Sequence, residues 1–197
     1  MNLEYLGYAL DQWKGSLLAI LRDDGLINNI VVEPMFTDNG PWETADIETY
    51  SRLLRLSSND SICHRNTIFT GGDPEQRKSY FDAIPKEGDV FLDPDTGIAV
   101  GAATRKHVKP ADLKQLLHTP NRVLMSYQHS AHDNFHERLH NIEDLIIGEV
   151  PNAQFAIYEC GTVAMIMISQ DKARIDSIFE KLKAVLRGTA ERRIWQR

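Results

Sequence analysis

The feature that most constrains the fold of this chain is an alternation of amphipathic helical segments with short apolar runs. Apolar residues recur at helical spacing over roughly 3–23, which predicts an amphipathic helix. The next run, 27–36, is short and β-branched, which predicts a buried strand. By the same criteria, further helices are predicted over 44–56, 74–84, 110–117, 133–148 and 171–187, and further strands over 66–70, 89–92, 122–127, 154–158 and 162–169.

Helices that lie between successive strands imply right-handed crossover connections and therefore a mainly parallel sheet. The last two predicted strands are so close in sequence that they can form only an antiparallel pair. The sequence therefore predicts an α/β fold, a three-layer Rossmann-like open sheet that is mainly parallel and has a C-terminal antiparallel hairpin. We expect a single α/β domain over 1–188, followed by a basic C-terminal tail over 189–197.

Composition and charge argue against several classes of protein. The chain has 197 residues and a formal net charge of -6, which does not suit a generally basic protein that coats nucleic acid. No stretch approaches the ~18 apolar residues of a membrane-spanning helix, and the first residues lack a signal-peptide pattern. Two cysteines, Cys63 and Cys160, make neither a disulfide framework nor a CxxC metal site. We therefore expect a cytoplasmic protein without a membrane partner.

Polar side chains follow three of the predicted strands at the point where each strand ends. They are Thr37 and Asp38 after the first strand, Asp93 and Asp95 after the third, and His129 after the fourth. Ligands of open α/β sheets bind outside the carboxyl ends of the parallel strands, and these ends meet at one edge of the sheet. The sequence therefore predicts that these side chains share a crevice.

The segment Asp93-Pro94-Asp95-Thr96-Gly97 is typical of a ligand site. Pro94 fixes the backbone, and Gly97 permits a ligand to approach closely. Two carboxylates two residues apart suit a divalent cation, and they also accept hydrogen bonds from a base amine or a ribose. The segment therefore predicts a site without fixing its chemistry.

Lys14 lies on the first predicted helix beside Gly15, and a second glycine signal precedes a later helix. Glycine inside a helix costs about 1 kcal/mol relative to alanine, so Gly15 indicates close packing or the close approach of a partner. Lys14 is then either solvated or a cation that meets a carboxylate or phosphate in the crevice. Gly71 and Gly72 precede a helix N-terminus, which attracts anions, and we expect both to contact a cofactor.

Three histidines, His132, His136 and His140, recur at a spacing of four and would line one face of a helix. A pair at this spacing can bind zinc, but there is no HExxH motif, and the charged residues between the histidines are typical of a solvated face. We therefore expect a polar surface helix and no metal site. The basic residues of the loop 97–109 are likewise either solvated or in contact with phosphates.

The order of these elements resembles that of the Rossmann-like, S-adenosylmethionine-dependent methyltransferases. In outline it is similar to the small bacterial nucleic-acid methyltransferases, including the three-Cys-motif partner group. Those proteins carry a helix with a lysine before the first strand and an acidic turn after it, the places of Lys14 and Asp38 in this chain. In the adenine-N6 enzymes the central strand ends in [DN]PP[YF]. Here Asp93-Pro94-Asp95-Thr96 keeps the Asp-Pro but lacks the second proline and the aromatic residue, and the glycine-rich cofactor turn is also missing.

The resemblance implies an enzyme that transfers a methyl group from S-adenosylmethionine to a nucleotide or nucleic-acid substrate. Under this hypothesis Asp93 would bind the accepting group, and Asp95 is a further predicted catalytic residue. Asp38 would contact the cofactor or a ribose, and His129 and Lys14 would assist with polarity and proton handling. The remaining predicted cofactor contacts are Thr37, Gly71 and Gly72.

Two other functions fit the same residues. A metal-dependent phosphodiesterase or nuclease would hold Mg²⁺ or Mn²⁺ on Asp38, Asp93 and Asp95, with His129 or Lys14 assisting the attacking water. A non-catalytic accessory protein with a degenerate methyltransferase-like fold would serve as a binding subunit, and the missing glycine-rich turn favours it. A nucleotide or nucleic acid is the expected partner of the enzyme, and a homo-oligomer is compatible with the sequence.

Overall fold

The computed structural model describes residues 1–37, 42–71, 73–130 and 134–197. Asp38, Gly72 and His132, three residues with a role considered above, lie outside the described residues. The helices of the described ranges are α1 (Ala9–Asp23), α2 (Thr44–Leu53), α3 (Pro74–Asp82), α4 (Pro110–Leu116), α5 (Phe135–Glu149) and α6 (Lys172–Val185). The strands are β1 (Val31–Glu33), β2 (Ser61–Ile62), β3 (Val90–Leu92), β4 (Gly97–Ile98), β5 (His107–Val108), β6 (Leu124–His129), β7 (Gln154–Cys160), β8 (Val163–Ser169) and β9 (Ile194–Gln196).

Within the described ranges, seven strands form one sheet in the order β2-β1-β3-β6-β8-β7-β9. The neighbours β2, β1, β3 and β6 are parallel, whereas β8 runs antiparallel to β6 and β7, and β9 runs antiparallel to β7. All these strands except β8 and β9 therefore point in the same direction. The predicted α/β fold, a mainly parallel three-layer sheet with a C-terminal antiparallel hairpin, is confirmed. No helix in the described part of the chain is long and apolar enough to cross a bilayer.

Two hydrophobic cores, one on each face of the sheet, hold the three layers together. Alternate side chains of a strand point to opposite faces, so Phe91 of β3 enters one core and Leu92 enters the other. Helices α1, α2 and α6 cover the Phe91 face, where Leu18 belongs to the core. Helices α3, α4 and α5 cover the Leu92 face, where Ile142 belongs to the core.

Gly15 allows helices α1 and α2 to pack closely against each other. A Cβ atom on Gly15 would lie 2.0 Å from the carbonyl oxygen of Leu53, which no relaxed structure tolerates. The glycine therefore serves the packing of two helices within the chain. Glycine lowers the helix propensity of α1, but its lack of a side chain allows α1, and with it Lys14, to lie close to the sheet.

Several elements of the N-terminal half differ from the prediction. The helix expected over 3–23 is interrupted, because Gly7, with a φ of 90°, turns the chain between a 3-10 helix at Leu3–Tyr5 and the start of α1. The strand expected over 27–36 shortens to β1, and Met35 soon after it adopts a left-handed φ of 49°.

The strand predicted over 66–70 is wrong, and the neighbour of β1 is β2 instead. Phe69 is buried in the core, and its backbone nitrogen donates to the carbonyl oxygen of Phe36 at 2.7 Å, but the segment does not pair as a strand. Its β-branched and aromatic composition therefore reflects burial and not pairing. At the other end of the chain, residues of the predicted tail form β9, which pairs Ile194 with Tyr158 of β7.

Candidate active site

A cavity of about 440 Å³ opens at the carboxyl ends of β3 and β6, beside helix α1. Its volume lies within the range of small-molecule sites, roughly 300–1,000 Å³. The cavity brings together the four side chains predicted as catalytic, which are Lys14, Asp93, Asp95 and His129. They come from a helix and two strands that are far apart in the chain, as the rule for open α/β sheets requires.

The floor of the cavity is a buried ion cluster. Lys14 Nζ lies 2.8 Å from Oδ1 of Asp93 and 3.1 Å from Oδ1 of Asp11. The hydroxyl of Tyr50 donates to Oδ2 of Asp93 at 2.6 Å. Two carboxylates thus share one ammonium group, and Lys14 is a buried cation and not a solvated lysine.

The electrostatics of this cluster keep Lys14 charged. Burial lowers the pKa of Lys14, but the attraction of Asp93 and Asp11 and hydrogen bonds to both outweigh it and raise that pKa above its ordinary value. Burial, together with Asp93, also raises the pKa of the Tyr50 hydroxyl well above its usual range. Lys14 Nζ also lies 4.4 Å from the ring centroid of Tyr127, a cation–π contact.

The α-ammonium group of Met1 lies between the carboxyl ends of β1 and β3. It donates to the backbone carbonyl oxygens of Pro34 at 2.7 Å, Met35 at 2.9 Å and Asp93 at 3.2 Å, and it lies 3.1 Å from Oδ1 of Asp95. We call these three carbonyl oxygens and the Asp95 carboxylate the ammonium cradle. Burial lowers the pKa of this amino group, and the Asp95 and Asp93 carboxylates oppose that shift. The acceptors of the cradle are therefore what favours the charged form, with its three N–H donors.

The side chains of Thr37 and Asp95, which follow β1 and β3, are hydrogen-bonded to each other. The Thr37 hydroxyl donates to Oδ2 of Asp95, so this carboxylate is held on one oxygen and faces the cradle with the other. Thr37 is therefore placed to orient Asp95. Its predicted contact with a cofactor would run through that carboxylate.

His129 lies at the exposed rim of the cavity. Its Nδ1 atom is 2.7 Å from the carbonyl oxygen of Ser130, which can only accept, so Nδ1 carries the proton of the neutral ring. The other nitrogen, Nε2, has no hydrogen-bond partner among the described residues and can accept a hydrogen bond from a bound molecule. The backbone nitrogen of His129 donates to the carbonyl oxygen of Thr96 at 3.0 Å, which ties the rim to the Asp93-to-Gly97 segment.

Two glycines do not contribute as expected. Gly97, with a φ of 114°, lies against the side chain of Gln128, where a Cβ would meet Oε1 at 2.3 Å, so the close neighbour is a protein side chain and not a ligand. Gly71, with a φ of 69°, lies against Arg105, where a Cβ would be 2.6 Å from Cα. Gly71 packs on the basic loop and is not among the described residues that line the cavity.

The two strand-end carboxylates of the described ranges, Asp93 and Asp95, already have partners within the protein. No group of three or more histidine, cysteine, aspartate or glutamate side chains in the described ranges is arranged to hold a metal ion. The Asp93 carboxylate already accepts from Lys14 on both oxygens and from Tyr50 on one of them.

A second polar cluster, on the opposite face of the sheet, was not predicted. Glu33 of β1 is fully buried, and its carboxylate contacts Nδ1 of His64 at 2.5 Å and accepts from the hydroxyl of Tyr80 at 2.5 Å. The rings of His64 and Tyr80 stack with centroids 4.1 Å apart. Burial and the nearby Glu33 raise the pKa of the Cys63 thiol to about 11. A charged residue inside the apolar run 27–36 was the signal that could have revealed this cluster.

No protein-family model matches the chain, and a search of the curated proteins finds no match to it.

Proposed function

We propose that this protein is an α/β enzyme that transfers a methyl group from S-adenosylmethionine to a nucleotide or nucleic-acid substrate. The observation that carries the proposal is the ammonium cradle. It holds the α-ammonium group of a methionine, Met1, at the carboxyl ends of β1 and β3. S-adenosylmethionine ends in the same methionyl α-ammonium group, so the acceptors of the cradle fit that end of the cofactor.

The charge of the cavity favours a cationic ligand. Asp11, Asp93 and Asp95 contribute three carboxylates, and the Lys14 and Met1 ammonium groups pair with them. S-adenosylmethionine carries an ammonium, a sulfonium and a carboxylate group, so its net positive charge would balance the remaining negative charge better than a neutral ligand. When bound, S-adenosylmethionine supplies an electrophilic methyl group. To bind there, its ammonium group has to replace that of Met1.

The rim of the cavity favours a planar, phosphate-bearing substrate. Tyr5 and Tyr8 line the mouth with about half of their surface exposed, and their rings meet edge to face with centroids 5.7 Å apart. Lys106 lies on the same rim. Aromatic rings stack on bases, with about 1–3 kcal/mol per base, and a lysine contacts phosphate. These tyrosines offer a stacking surface that the Asp93-Pro94-Asp95-Thr96 segment lacks.

The residues of the chain then have distinct roles. Asp95 binds the ammonium group of the cofactor, and Thr37 orients Asp95. Asp93 positions Lys14 and so shapes the floor, and its buried carboxylate is less suited to bind the accepting group than its place in the sequence implied. His129 accepts a proton through Nε2. Methyl transfer depends mainly on positioning two reactants, so this small set of groups is sufficient.

The test is a calorimetric titration of the metal-stripped, full-length protein with S-adenosylmethionine. We expect saturable binding that weakens in Asp95→Asn. A charge-assisted hydrogen bond contributes roughly 1.5–3 kcal/mol, or about 10–100-fold in affinity, and the loss should be smaller than this because Asp95 also holds the Met1 ammonium group that the cofactor displaces. Asp144→Asn, at an exposed carboxylate paired with Arg197, is the matched control and should bind like the wild type.

Other outcomes of the titration contradict the proposal in distinct ways. Binding of Mn²⁺ alone, lost in Asp93→Ala, would support the phosphodiesterase or nuclease. Absence of binding of both the cofactor and Mn²⁺ would favour the accessory protein. Binding of S-adenosylmethionine that is indifferent to Asp95→Asn would place the cofactor outside the cradle.

A further inference from the structure

A pair of histidines on helix α5 forms an arrangement that the proposed methyl transfer does not use. His136 and His140 are four residues apart, and their Nε2 atoms lie 3.1 Å from each other. We propose that this pair binds a divalent ion of the zinc or nickel class between the two Nε2 atoms. The sequence predicted a polar surface helix here but not the contacts that orient the two imidazole rings.

Each ring is held by a carboxylate at its other nitrogen. His140 Nδ1 lies 2.7 Å from Oε2 of Glu143, and His136 Nδ1 lies 3.4 Å from Oε2 of Glu159 on β7. A carboxylate can accept at neutral pH but cannot donate, so each Nδ1 carries a proton. In metal sites, histidine ligands are oriented in this same way, with one nitrogen on a carboxylate and the other on the metal.

If both rings are neutral, no proton lies between their Nε2 atoms. A neutral imidazole has a single N–H, so two neutral rings that both donate through Nδ1 turn two lone pairs towards each other at Nε2. Such a contact at 3.1 Å is repulsive unless a positive charge lies between the two nitrogens. A divalent ion about 2.0–2.1 Å from each nitrogen, and therefore to one side of the line that joins them, supplies that charge and accepts both lone pairs.

A positive charge near His140 would also stabilise the buried Glu143 carboxylate. Glu143 is 0% exposed, and its Oε1 atom has no hydrogen-bond partner within the described residues. Among the described residues, Glu143 forms its ion pair with His140. A buried carboxylate needs a nearby cation, and an ion on His140 would provide it through the ring.

The chemistry of the ligands indicates which ions fit. Imidazole nitrogen suits zinc, nickel and copper, whereas magnesium, calcium and manganese prefer oxygen. With two protein ligands from the described ranges, the ion would keep water at other positions, because the two rings are about half exposed.

The site would join three elements of the fold. The ring of Trp195 on β9 lies 4.8 Å from that of His136 and 5.8 Å from that of His140, between centroids. An ion here would tie α5 to β7 and β9, on the sheet face opposite the Lys14 helix. It is therefore independent of the ammonium cradle, and the two proposals fail separately.

The experiment is a calorimetric titration of the metal-stripped, full-length protein with Zn²⁺ and with Ni²⁺ at neutral pH. We expect one equivalent to bind, with a change in Trp195 fluorescence. His136→Ala should abolish the binding and keep the Glu143–His140 contact, so that folding is preserved, and circular dichroism checks this. His118→Ala, at another exposed histidine, is the control and should bind like the wild type.

Glu143→Gln tests whether the carboxylate positions His140. We expect it to weaken the binding of Zn²⁺ about 10–100-fold, the usual effect of losing such a partner. If neither ion binds, the positive charge between the rings is a shared proton, and the proposal is wrong. It is also wrong if binding survives in the double variant His136→Ala, His140→Ala, since the ion would then lie elsewhere.

Discussion

Lys14 Nζ lies 2.8 Å from Oδ1 of Asp93, a residue 79 positions further along the chain, and both side chains are almost completely buried. The contact fastens helix α1 to the carboxyl end of β3, where the cavity opens. A buried ion pair is costly to break, because the partner that remains is an uncompensated charge. The shape of the candidate site therefore depends on this pair.

Replacement of Lys14 by methionine should destabilise the protein strongly. Lys14→Met keeps most of the side-chain volume but leaves Asp11 and Asp93 as buried anions without their cation, so we expect a loss of about 3–5 kcal/mol in the free energy of unfolding at pH 7. Urea denaturation measures it. Lys172→Met, which removes an exposed pair with Asp176, should cost less than about 1 kcal/mol. Equal effects of the two variants would contradict the buried cluster.

The contribution of Lys14 should depend on alkaline pH. The pKa of Lys14 is raised in the folded state, so its stabilisation is complete below the unfolded pKa and is lost as pH rises through the folded one. We expect the stability difference between wild type and Lys14→Met to stay constant from about pH 7 to 10 and to shrink above about pH 10.5. Urea denaturation across this range tests it, and a difference that already shrinks near pH 8 would contradict it.

The order of strands and helices, and the edge at which the cavity opens, were predictable because they follow from hydrophobic periodicity and from the rule for parallel sheets. That is why Asp93, Asp95 and His129, chosen from sequence, line one cavity. The cluster around Glu33 was not predictable in this way. His64 lies just after β2, and with the second strand wrongly placed at 66–70, nothing pointed to the end of the real strand.

The contacts of Lys14 also could not be derived from its sequence position. A lysine in an amphipathic helix is ordinarily solvated, and only the close approach of α1 to α2 at Gly15 brings this one to the sheet. Local patterns fix the face of a helix but not its distance from a neighbour. Such distances depend on tertiary packing.

Two glycine-to-alanine variants should change stability in opposite directions. Gly15→Ala would place a Cβ 2.0 Å from the Leu53 carbonyl oxygen, so we expect a clear loss of stability in spite of the gain in helix propensity. Gly148→Ala in α5 meets nothing within 4 Å and should stabilise the protein by up to about 1 kcal/mol. Thermal unfolding compares them. If Gly15→Ala were as stable as the wild type, the close packing of α1 and α2 would be disproved.

The exposed tyrosines at the mouth should contribute to binding of a base. We expect Tyr8→Ala to weaken the binding of a mononucleotide by about 1–3 kcal/mol, whereas Tyr8→Phe, which keeps the ring, should bind nearly as well as the wild type. Fluorescence or calorimetric titration with adenosine monophosphate measures both. Loss of binding in Tyr8→Phe would show that the hydroxyl, and not stacking, matters.

The Cys63 thiol should react slowly with alkylating reagents. With a pKa of about 11, only about one molecule in a thousand carries the thiolate at pH 8. Because Glu33 contributes to this raised pKa, Glu33→Gln should make Cys63 react faster. The measurement uses a Cys160→Ser background, so that Cys63 alone gives the signal. An unchanged rate in Glu33→Gln would leave burial as the sole cause.

The β7–β8 hairpin closes over only two residues, whereas Lys14 and Asp93 meet across most of the N-terminal half of the chain. Contacts between residues close in sequence cost little chain entropy, so the hairpin is expected to form early and the ion cluster late. Destabilising substitutions at Lys14 should then accelerate unfolding and leave the folding rate nearly unchanged, while those in the hairpin should slow folding, as stopped-flow kinetics can show. The cavity would thus be among the first regions to open and among the last to close. Its occupation by a ligand would act mainly on the lifetime of the native state.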